Sequence, residues 1–135
     1  MIRPRIIRVG THREHGRFPS RIKQHFGGNK NGSVFRKHLG GALLRSGNTN
    51  DSRLKKWLKH DTPTFKDVEK LVTNKLPADF TYKWIAVEDK KIRLDLEERL
   101  IATLAKCPSC KPSTKWLGRY AASEEIRESG LWNVQ

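Results

Sequence analysis

The chain has 135 residues, and its 28 lysines and arginines against 14 aspartates and glutamates give a formal net charge of +14. This excess favours a polyanionic partner, although a merely solvated or ribosome-associated basic protein is an open alternative. No run of 18 apolar residues and no signal-peptide core are present, so we expect a cytoplasmic protein without membrane spans. The length matches one domain over residues 1–135.

Local patterns predict a strand, two helices and a loop in the first third of the chain. Residues 5–9 are partly β-branched and stop at a glycine, as a short strand does. Apolar residues recur every four positions behind a proline over residues 16–26, which predicts a helix. The glycine-rich stretch 27–32 predicts a flexible loop, after which Ser33 is a typical N-cap for a helix that runs through Leu43.

The remaining elements follow from the same kind of pattern. Residues 53–60 form a short basic amphipathic stretch, and residues 64–76 have apolar side chains at helical spacing. Residues 80–87 carry apolar side chains on both faces, which predicts a central strand. A longer helix is predicted over residues 92–106, and a brief helix over residues 123–129.

The positive charge is concentrated in the first part of the chain. Residues 1–60 contain 15 basic and two acidic residues, whereas residues 61–135 contain 13 basic and 12 acidic residues. All five histidines also fall in the first part. We therefore expect this part to meet phosphates. The cations predicted to contact nucleic acid are Arg8, Arg17, Lys23, Lys30, Arg36 and Lys37.

The cysteines and tryptophans are predicted to be structural. Cys107 and Cys110 form a single C-x-x-C pair, with no second pair or downstream histidine to complete a zinc site. We predict two reduced thiols in a loop. We also expect the four tryptophans to serve packing more than base stacking. They are Trp57, Trp84, Trp116 and Trp132.

Four side chains are candidates for chemistry. Glu97 projects near the middle of the apolar stripe of its helix, where a carboxylate needs an arginine, several hydrogen bonds or a metal. Arg21 and His25 lie one turn apart beside an apolar edge, and a guanidinium group suits a phosphate. His12 follows the first predicted strand on a loop. The alternatives are a paired buried glutamate and an exposed Arg–His pair on a surface helix.

The order of these residues resembles the GIY-YIG nuclease domain. The resemblance rests on Arg5-Ile-Ile-Arg-Val-Gly-Thr-His12, on Arg21-x-x-x-His25 in a helix, and on Glu97-x-x-Leu-Ile101 in a later helix. It is closest in pattern to a bacterial branch with a Val-Gly-Thr-His stretch. Segments 28–36 and 129–133 also match that branch, and together the motifs span nearly the whole chain.

This resemblance implies an α+β fold in which a small antiparallel sheet is flanked by helices. It implies a metal-dependent endonuclease that acts on DNA, with RNA as an alternative partner. Glu97 would bind the divalent ion, Mg²⁺ or Mn²⁺, since a single carboxylate with waters and phosphate oxygens suits a hard cation. Arg21 would hold the scissile phosphate. His12 or His25 would supply the base that activates water.

The chain departs from the family pattern in three places. The family's first strand carries a tyrosine that nothing upstream of Arg5 supplies, so we expect the chain to lack an N-terminal strand. The second tyrosine position is held by Arg8. An asparagine expected after the glutamate helix is absent near Lys106 and Cys107. A catalytically inactive basic protein that binds DNA or RNA in a salt-sensitive manner is therefore the alternative.

Overall fold

The computed structural model describes residues 4–12, 16–62 and 64–134. The regular structure of these residues is helical, and their helices include none that is long and apolar enough to cross a bilayer. Two short 3₁₀ turns cover Pro108–Cys110 and Leu117–Tyr120. The α-helices are α1 (Phe18–Gly27), α2 (Val34–Gly47), α3 (Leu54–Leu58), α4 (Lys66–Asp79), α5 (Lys90–Lys106) and α6 (Glu124–Ser129).

The predicted α+β fold is wrong, because no residue of the three described segments lies in a β-strand. The two predicted strands, residues 5–9 and 80–87, follow irregular paths. An isolated extended segment is not stable without neighbours that pair with its backbone. Residues 81–87 form no backbone pairs with other described segments, and Trp84 and Ile85 are 65% and 74% exposed. The prediction that this segment is buried on both faces is therefore also wrong.

The segment that contains residues 4–12 is held in place by residues near the other end of the chain. The carbonyl of Ile7 accepts a hydrogen bond from the backbone N–H of Trp132 at 2.7 Å. The side-chain amide of Asn133 accepts from Val9 N at 3.0 Å and donates to Val9 O at 2.6 Å. One asparagine side chain thereby supplies the pair of hydrogen bonds that a neighbouring strand would offer to Val9.

Helices α1 and α2 confirm the local predictions for their part of the chain. Proline lies in the first turn of α1, where its missing N–H is not needed. The hydroxyl of Ser33 caps α2 by accepting from Arg36 N at 3.1 Å. The glycine pair in α2 is explained by packing, since a Cβ at Gly40 would lie 2.6 Å from Cε2 of Trp57. The missing side chain lets α3 approach α2 closely.

The hydrophobic core is built around α2. One side of this helix packs against α4, α6 and the 117–120 turn, and the other packs against α3 and the start of α4. Burial of these apolar side chains is the main favourable term in folding. The buried members of the larger cluster are Phe35, Leu39, Ala42, Val72, Leu76, Ala121, Ile126 and Trp132.

A buried ionic network links α1, α2 and α4 through Arg36. The Arg36 side chain is fully buried, and its guanidinium group donates to His25 O at 3.1 Å, Glu69 Oε1 at 3.0 Å and Thr73 Oγ1 at 2.8 Å. A buried guanidinium is tolerated when its charge and most of its N–H groups are compensated in this way, although Nε of Arg36 has no hydrogen-bond partner among the described residues. Arg36 therefore positions the helix that carries His25.

Lys30 is enclosed in a second polar cluster between the α1–α2 loop and α3. Its ammonium group donates to Lys59 O at 2.6 Å and to Thr62 Oγ1 at 2.8 Å, and it lies 5.9 Å from the ring centroid of Trp57. Lys30 is only 2% exposed, and burial lowers its pKa. The positive charge here stabilises the loop that follows α1.

Helix α5 lies on the outside of the molecule. None of its residues is buried, and Ile92 and Leu100 are 60% and 38% exposed, so the prediction of a core-facing apolar stripe is wrong. Arg93 connects the helix to the rest of the chain by donating from Nε to His12 O at 3.2 Å and from Nη1 to Val87 O at 2.8 Å. This arginine links the start of α5 to the loop that bears His12.

The expectation of two reduced thiols is wrong, because Cys107 and Cys110 are joined as a disulfide. The 3₁₀ turn after α5 brings their Cα atoms to 5.2 Å, a separation that a disulfide spans. The carbonyl of Cys110 accepts from Arg5 Nη1 at 3.3 Å, and the same Arg5 atom donates to Gly130 O at 2.6 Å. The disulfide loop is thus part of the anchorage of residues 4–12.

Candidate active site

A small pocket lies where residues 8–12 cross α1 and meet the irregular segment 80–87. Its volume is about 130 Å³, which is smaller than the roughly 300 to 1,000 Å³ of sites for drug-sized ligands. Such a space suits a single compact group with water. The pocket is lined by Arg8, Gly10, Thr11, His12, Phe18, Arg21, Ile22, His25, Tyr82 and Lys83.

Arg21 lies on the pocket wall formed by α1. Its Nη1 atom is 3.4 Å from Oε1 of Gln24, a neutral acceptor on the same helix. Arg21 makes no ion pair with any carboxylate of the described segments. A half-buried guanidinium group without a carboxylate partner is suited to an anionic ligand.

Arg8 brings a second guanidinium group to the pocket. Its Cζ atom lies 5.5 Å from the ring centroid of Phe35, in cation–π contact. Burial, and next the charge of Arg21, lowers the pKa of Arg8, while the charge of Glu97 opposes this effect. Gly10 makes room for this group, since a Cβ at that position would overlap Nη1 of Arg8. The pocket is therefore strongly cationic.

His25 is buried at the inner end of the pocket and is hydrogen-bonded at one ring nitrogen. Its Nδ1 atom lies 2.7 Å from the hydroxyl oxygen of Ser33, which also accepts from the backbone of α2. Burial first, and then three neighbouring guanidinium groups, lower the pKa of His25 to about 4. The imidazole is therefore neutral at physiological pH. These guanidinium groups belong to Arg8, Arg21 and Arg36.

His12 also lines the pocket and is less buried than His25. Its side chain is half-buried, and its ring centroid is 6.4 Å from that of Phe18. The hydrogen bond from Arg93 to the backbone carbonyl of His12 fixes the loop that carries the ring. His12 is thus better placed than His25 to meet water from outside.

Glu97 lies on α5, close enough to the pocket for its charge to raise the pKa of Arg8. The side chain is half-buried and forms neither a hydrogen bond nor an ion pair with the described residues. A carboxylate that pairs with no described residue fits a hard divalent cation that takes its other ligands from water and phosphate. No cluster of three possible metal ligands occurs within the described segments, and Glu97 is a carboxylate beside the pocket that could hold a metal ion.

The six cations predicted to contact nucleic acid occupy different environments. Arg17 and Lys23 are exposed on or beside α1, and Lys37 is half-buried on α2. Arg8 faces the pocket. Lys30 and Arg36 are buried, and their charged groups donate hydrogen bonds to acceptors inside the protein. Neither side chain is therefore accessible to a nucleic acid at the surface.

Two residues that line the pocket were not predicted from the sequence to belong to the site. Tyr82 and Lys83 line the pocket from the irregular segment 80–87, where the alternating pattern indicated a buried strand. Tyr82 is 53% exposed, and its ring centroid lies 5.7 Å from that of Phe26 on α1. The sequence contains one sign of this exposure, because Lys83 stands between two aromatic residues. A lysine at this position does not fit a strand that is buried on both faces.

Comparison with known proteins gives a family and no closer relative. The sequence profile described as GIY-YIG domain matches residues 1–135, the whole chain. None of the curated proteins and none of the solved structures gives a significant match. Proteins of the matched family are generally endonucleases that act on DNA and typically depend on a divalent metal. The chain belongs to the GIY-YIG domain family.

Proposed function

We propose that the chain is a metal-dependent endonuclease that hydrolyses DNA phosphodiester bonds at the pocket between α1 and residues 8–12. The observation that supports this most directly is the convergence of Arg8 and Arg21 on one pocket, with Glu97 within electrostatic reach. A cationic pocket with a nearby carboxylate that forms no ion pair with the described residues provides the two kinds of group that phosphodiester hydrolysis needs.

Arg21 holds the scissile phosphate in this proposal. Its guanidinium group can donate two parallel hydrogen bonds to phosphate oxygens and remains charged throughout the reaction. Arg8 supplies the second positive charge from the position where the family carries a tyrosine. The two groups offset the negative charge that develops on the phosphorane. The pKa of Arg8 is lowered first by burial and second by the charge of Arg21, and binding of a phosphate would offset the second of these effects.

Glu97 would hold the divalent ion, Mg²⁺ or Mn²⁺, and the chemistry supplied by that ion when bound is stabilisation of the leaving oxygen. A ring nitrogen of His12 accepts the proton of the attacking water. In this proposal His25 lines the phosphate site as a neutral imidazole and does not act as the base. Its pKa of about 4 makes it a weak base, and its Nδ1 atom is hydrogen-bonded to the Ser33 hydroxyl. Neutrality avoids a third positive charge beside Arg8 and Arg21.

The more distant cations hold the nucleic acid. Arg17 and Lys23 extend from or beside α1, and Lys37 is partly accessible on α2. Contacts of this type bind the phosphate backbone without reading sequence, and they weaken as salt is added.

A catalytically inactive DNA- or RNA-binding protein is the second candidate. It is favoured by Arg8, whose positive charge stands at the family's second tyrosine position and acts on Glu97, and by the absence of the family's first-strand tyrosine upstream of Arg5. Binding by such a protein would be salt-sensitive, and no metal ion would induce cleavage.

The two candidates are separated by incubating the purified chain with supercoiled plasmid in Mg²⁺, in Mn²⁺ or in EDTA. We expect nicking with either ion and none in EDTA. Glu97→Ala and Arg21→Ala should each lower the rate by at least about 100-fold. Salt-sensitive DNA binding in EDTA should persist in both variants.

The matched controls are Glu98→Ala and Arg99→Ala. Both residues are exposed on α5, and Arg99 pairs with Asp95 at 2.9 Å away from the pocket. Both control proteins should nick DNA at the wild-type rate. Metal-independent binding with no nicking under any condition would reject the endonuclease in favour of the binding protein. Equal loss of nicking in Glu97→Ala and Glu98→Ala would remove the assigned role of Glu97.

A further inference from the structure

Two aromatic side chains beside the pocket are exposed to solvent. Trp84 is 65% exposed and Tyr82 is 53% exposed, although aromatic rings of this size are usually buried when they serve packing. By contrast, Trp57 and Trp132 are at most 1% exposed in the core, as expected. The prediction that tryptophans serve packing thus holds for Trp57 and Trp132 and for Trp116, which packs against the core, whereas Trp84 is largely exposed.

The two rings are held against α1. The ring centroid of Trp84 lies 5.9 Å from that of Phe18, and the ring centroid of Tyr82 lies 5.7 Å from that of Phe26. Phe18 and Phe26 belong to the same apolar edge of α1, two turns apart. Each exposed ring therefore packs against a phenylalanine side chain of α1. We call Tyr82 and Trp84 together the aromatic shelf.

The aromatic shelf adjoins the cationic pocket. Tyr82 itself lines the pocket, as do its neighbour Lys83 and the Phe18 ring that supports Trp84. Flat apolar surfaces thus stand next to guanidinium and ammonium groups. Proteins that bind single-stranded nucleic acid combine these two features, because each nucleotide presents a ring face and a phosphate.

We propose that the aromatic shelf binds an unpaired base while the adjacent phosphate occupies the pocket. The substrate is then single-stranded DNA or DNA with unpaired nucleotides, in preference to a continuous duplex. Duplex bases are stacked on one another and cannot offer their faces to Trp84 without being extruded. This inference deepens the proposed function, since it rests on the pocket as the phosphate site.

The charge around the aromatic shelf supports a nucleic-acid occupant over a second copy of the chain. Lys83 lies between Tyr82 and Trp84 in the sequence, and Arg8 and Arg21 line the same pocket as Tyr82. A second copy carries a formal charge of +14 and would bring like charge to this surface. A nucleotide brings a negative charge and a planar ring together.

The test measures binding in EDTA, so that it does not depend on cleavage. A fluorescent single strand of about 12 nucleotides is compared with the blunt duplex of the same sequence by anisotropy. Trp84→Ala should weaken binding of the single strand by about 5-fold to 100-fold and leave binding of the duplex within about 2-fold. Trp84→Phe, which keeps a ring, should retain most of the affinity for the single strand.

Ile85→Ala is the matched control, because it removes a neighbouring apolar side chain that is 74% exposed but has no ring. It should bind both DNAs as the wild type does. A single strand of abasic sugars keeps the phosphates and lacks the bases, so wild type and Trp84→Ala should bind it equally. Thermal melting of each variant verifies folding.

Several results would overturn the inference. The first is an equal loss of duplex and single-strand affinity in Trp84→Ala. The second is a wild-type preference for the duplex, and the third is equal weakening by Ile85→Ala. A change of oligomeric state in Trp84→Ala, detected by sedimentation, would assign the shelf to a second copy. Absence of nicking with intact shelf-dependent binding would reject the nuclease activity alone.

Discussion

Burial of charged and apolar side chains differs between two regions of the molecule, residues 16–79 and residues 80–106. The first region buries Lys30 and Arg36 among carbonyl and carboxylate oxygens and packs its apolar side chains around α2. The second region buries no side chain and leaves tryptophan, isoleucine and leucine exposed. Positive charge in the first region therefore has a structural role at Lys30 and Arg36, and we propose a second, ligand-directed role for Arg21. In the second region, exposed side chains contribute little to stability, and we propose that some of them contact nucleic acid.

The largest expected effect comes from removing the cation at the centre of the first region. Arg36→Ala leaves Glu69 without its ion-pair partner and opens a void between α2 and α4. We expect a loss of about 3 to 5 kcal/mol in the free energy of unfolding, measured by urea denaturation. The control in the second region, Arg99→Ala, should change this quantity by less than about 0.5 kcal/mol. Similar losses in both variants would contradict the contrast between the regions.

A second effect tests the close approach of α2 and α3. Gly40→Ala places a Cβ against the Trp57 ring, and we expect it to destabilise the protein by about 1 to 3 kcal/mol. Gly47 ends the same helix and has open space around it, so Gly47→Ala should be neutral or slightly stabilising. Equal melting temperatures for the two variants would show that Trp57 moves aside without cost.

The buried histidines of the first region predict a dependence of stability on pH. Burial holds the pKa of both His25 and His38 at about 4, below the value of about 6.5 in the unfolded chain. Between these values the unfolded state binds more protons, so stability is full above about pH 6.5 and falls as the pH drops towards 4. Since one pKa unit corresponds to about 1.4 kcal/mol, each histidine should contribute up to about 3 kcal/mol by pH 4.

The measurement is the melting temperature from pH 7 to about pH 4. His38→Leu should show a shallower fall than the wild type, since one titrating group is removed, and carboxylates contribute equally to both curves. A variant whose curve runs parallel to that of the wild type would show that His38 is not kept neutral by burial.

The smallest effect on stability is expected at the link between the regions. Arg93→Ala removes hydrogen bonds to His12 O and Val87 O that are partly exposed, so the free energy of unfolding should fall by less than about 1 kcal/mol. Nicking should nevertheless fall by about 10-fold to 100-fold, because the loop of His12 and the helix of Glu97 lose their common anchor. Unchanged nicking would show that α5 is held by other contacts.

The local features of the first region could be predicted from the sequence. The apolar spacing behind Pro19 and the N-cap at Ser33 involve residues within one or two turns, so they are visible in a short window. The burial of Lys30 and Arg36 was not predictable in this way. Their acceptors at Lys59 and Glu69 lie about 30 residues away, and charge alone indicated contact with phosphate.

In the second region, residues 80–106, the sequence pattern led to two wrong predictions, a central strand and a buried helix face. The apolar content of residues 80–87 indicated a central strand, but a strand requires a partner whose position no local pattern reveals. The apolar spacing around Glu97 correctly indicated a helix and wrongly indicated a buried face. The family was recognised from motifs spread over the chain, and the whole-chain match confirms it. The catalytic assignments of Arg21, Glu97, His12 and His25 stay predictions.

The hydrogen bonds between Asn133 and Val9 join two segments that are 124 residues apart in the sequence. Contacts of such long sequence separation are slow to form, because closing the intervening loop costs conformational entropy. Arg8 precedes Val9 and lines the pocket, so this wall of the pocket takes its place only after the two segments have met. A chain truncated before residue 130 would therefore keep its basic residues and lose the anchorage of that wall.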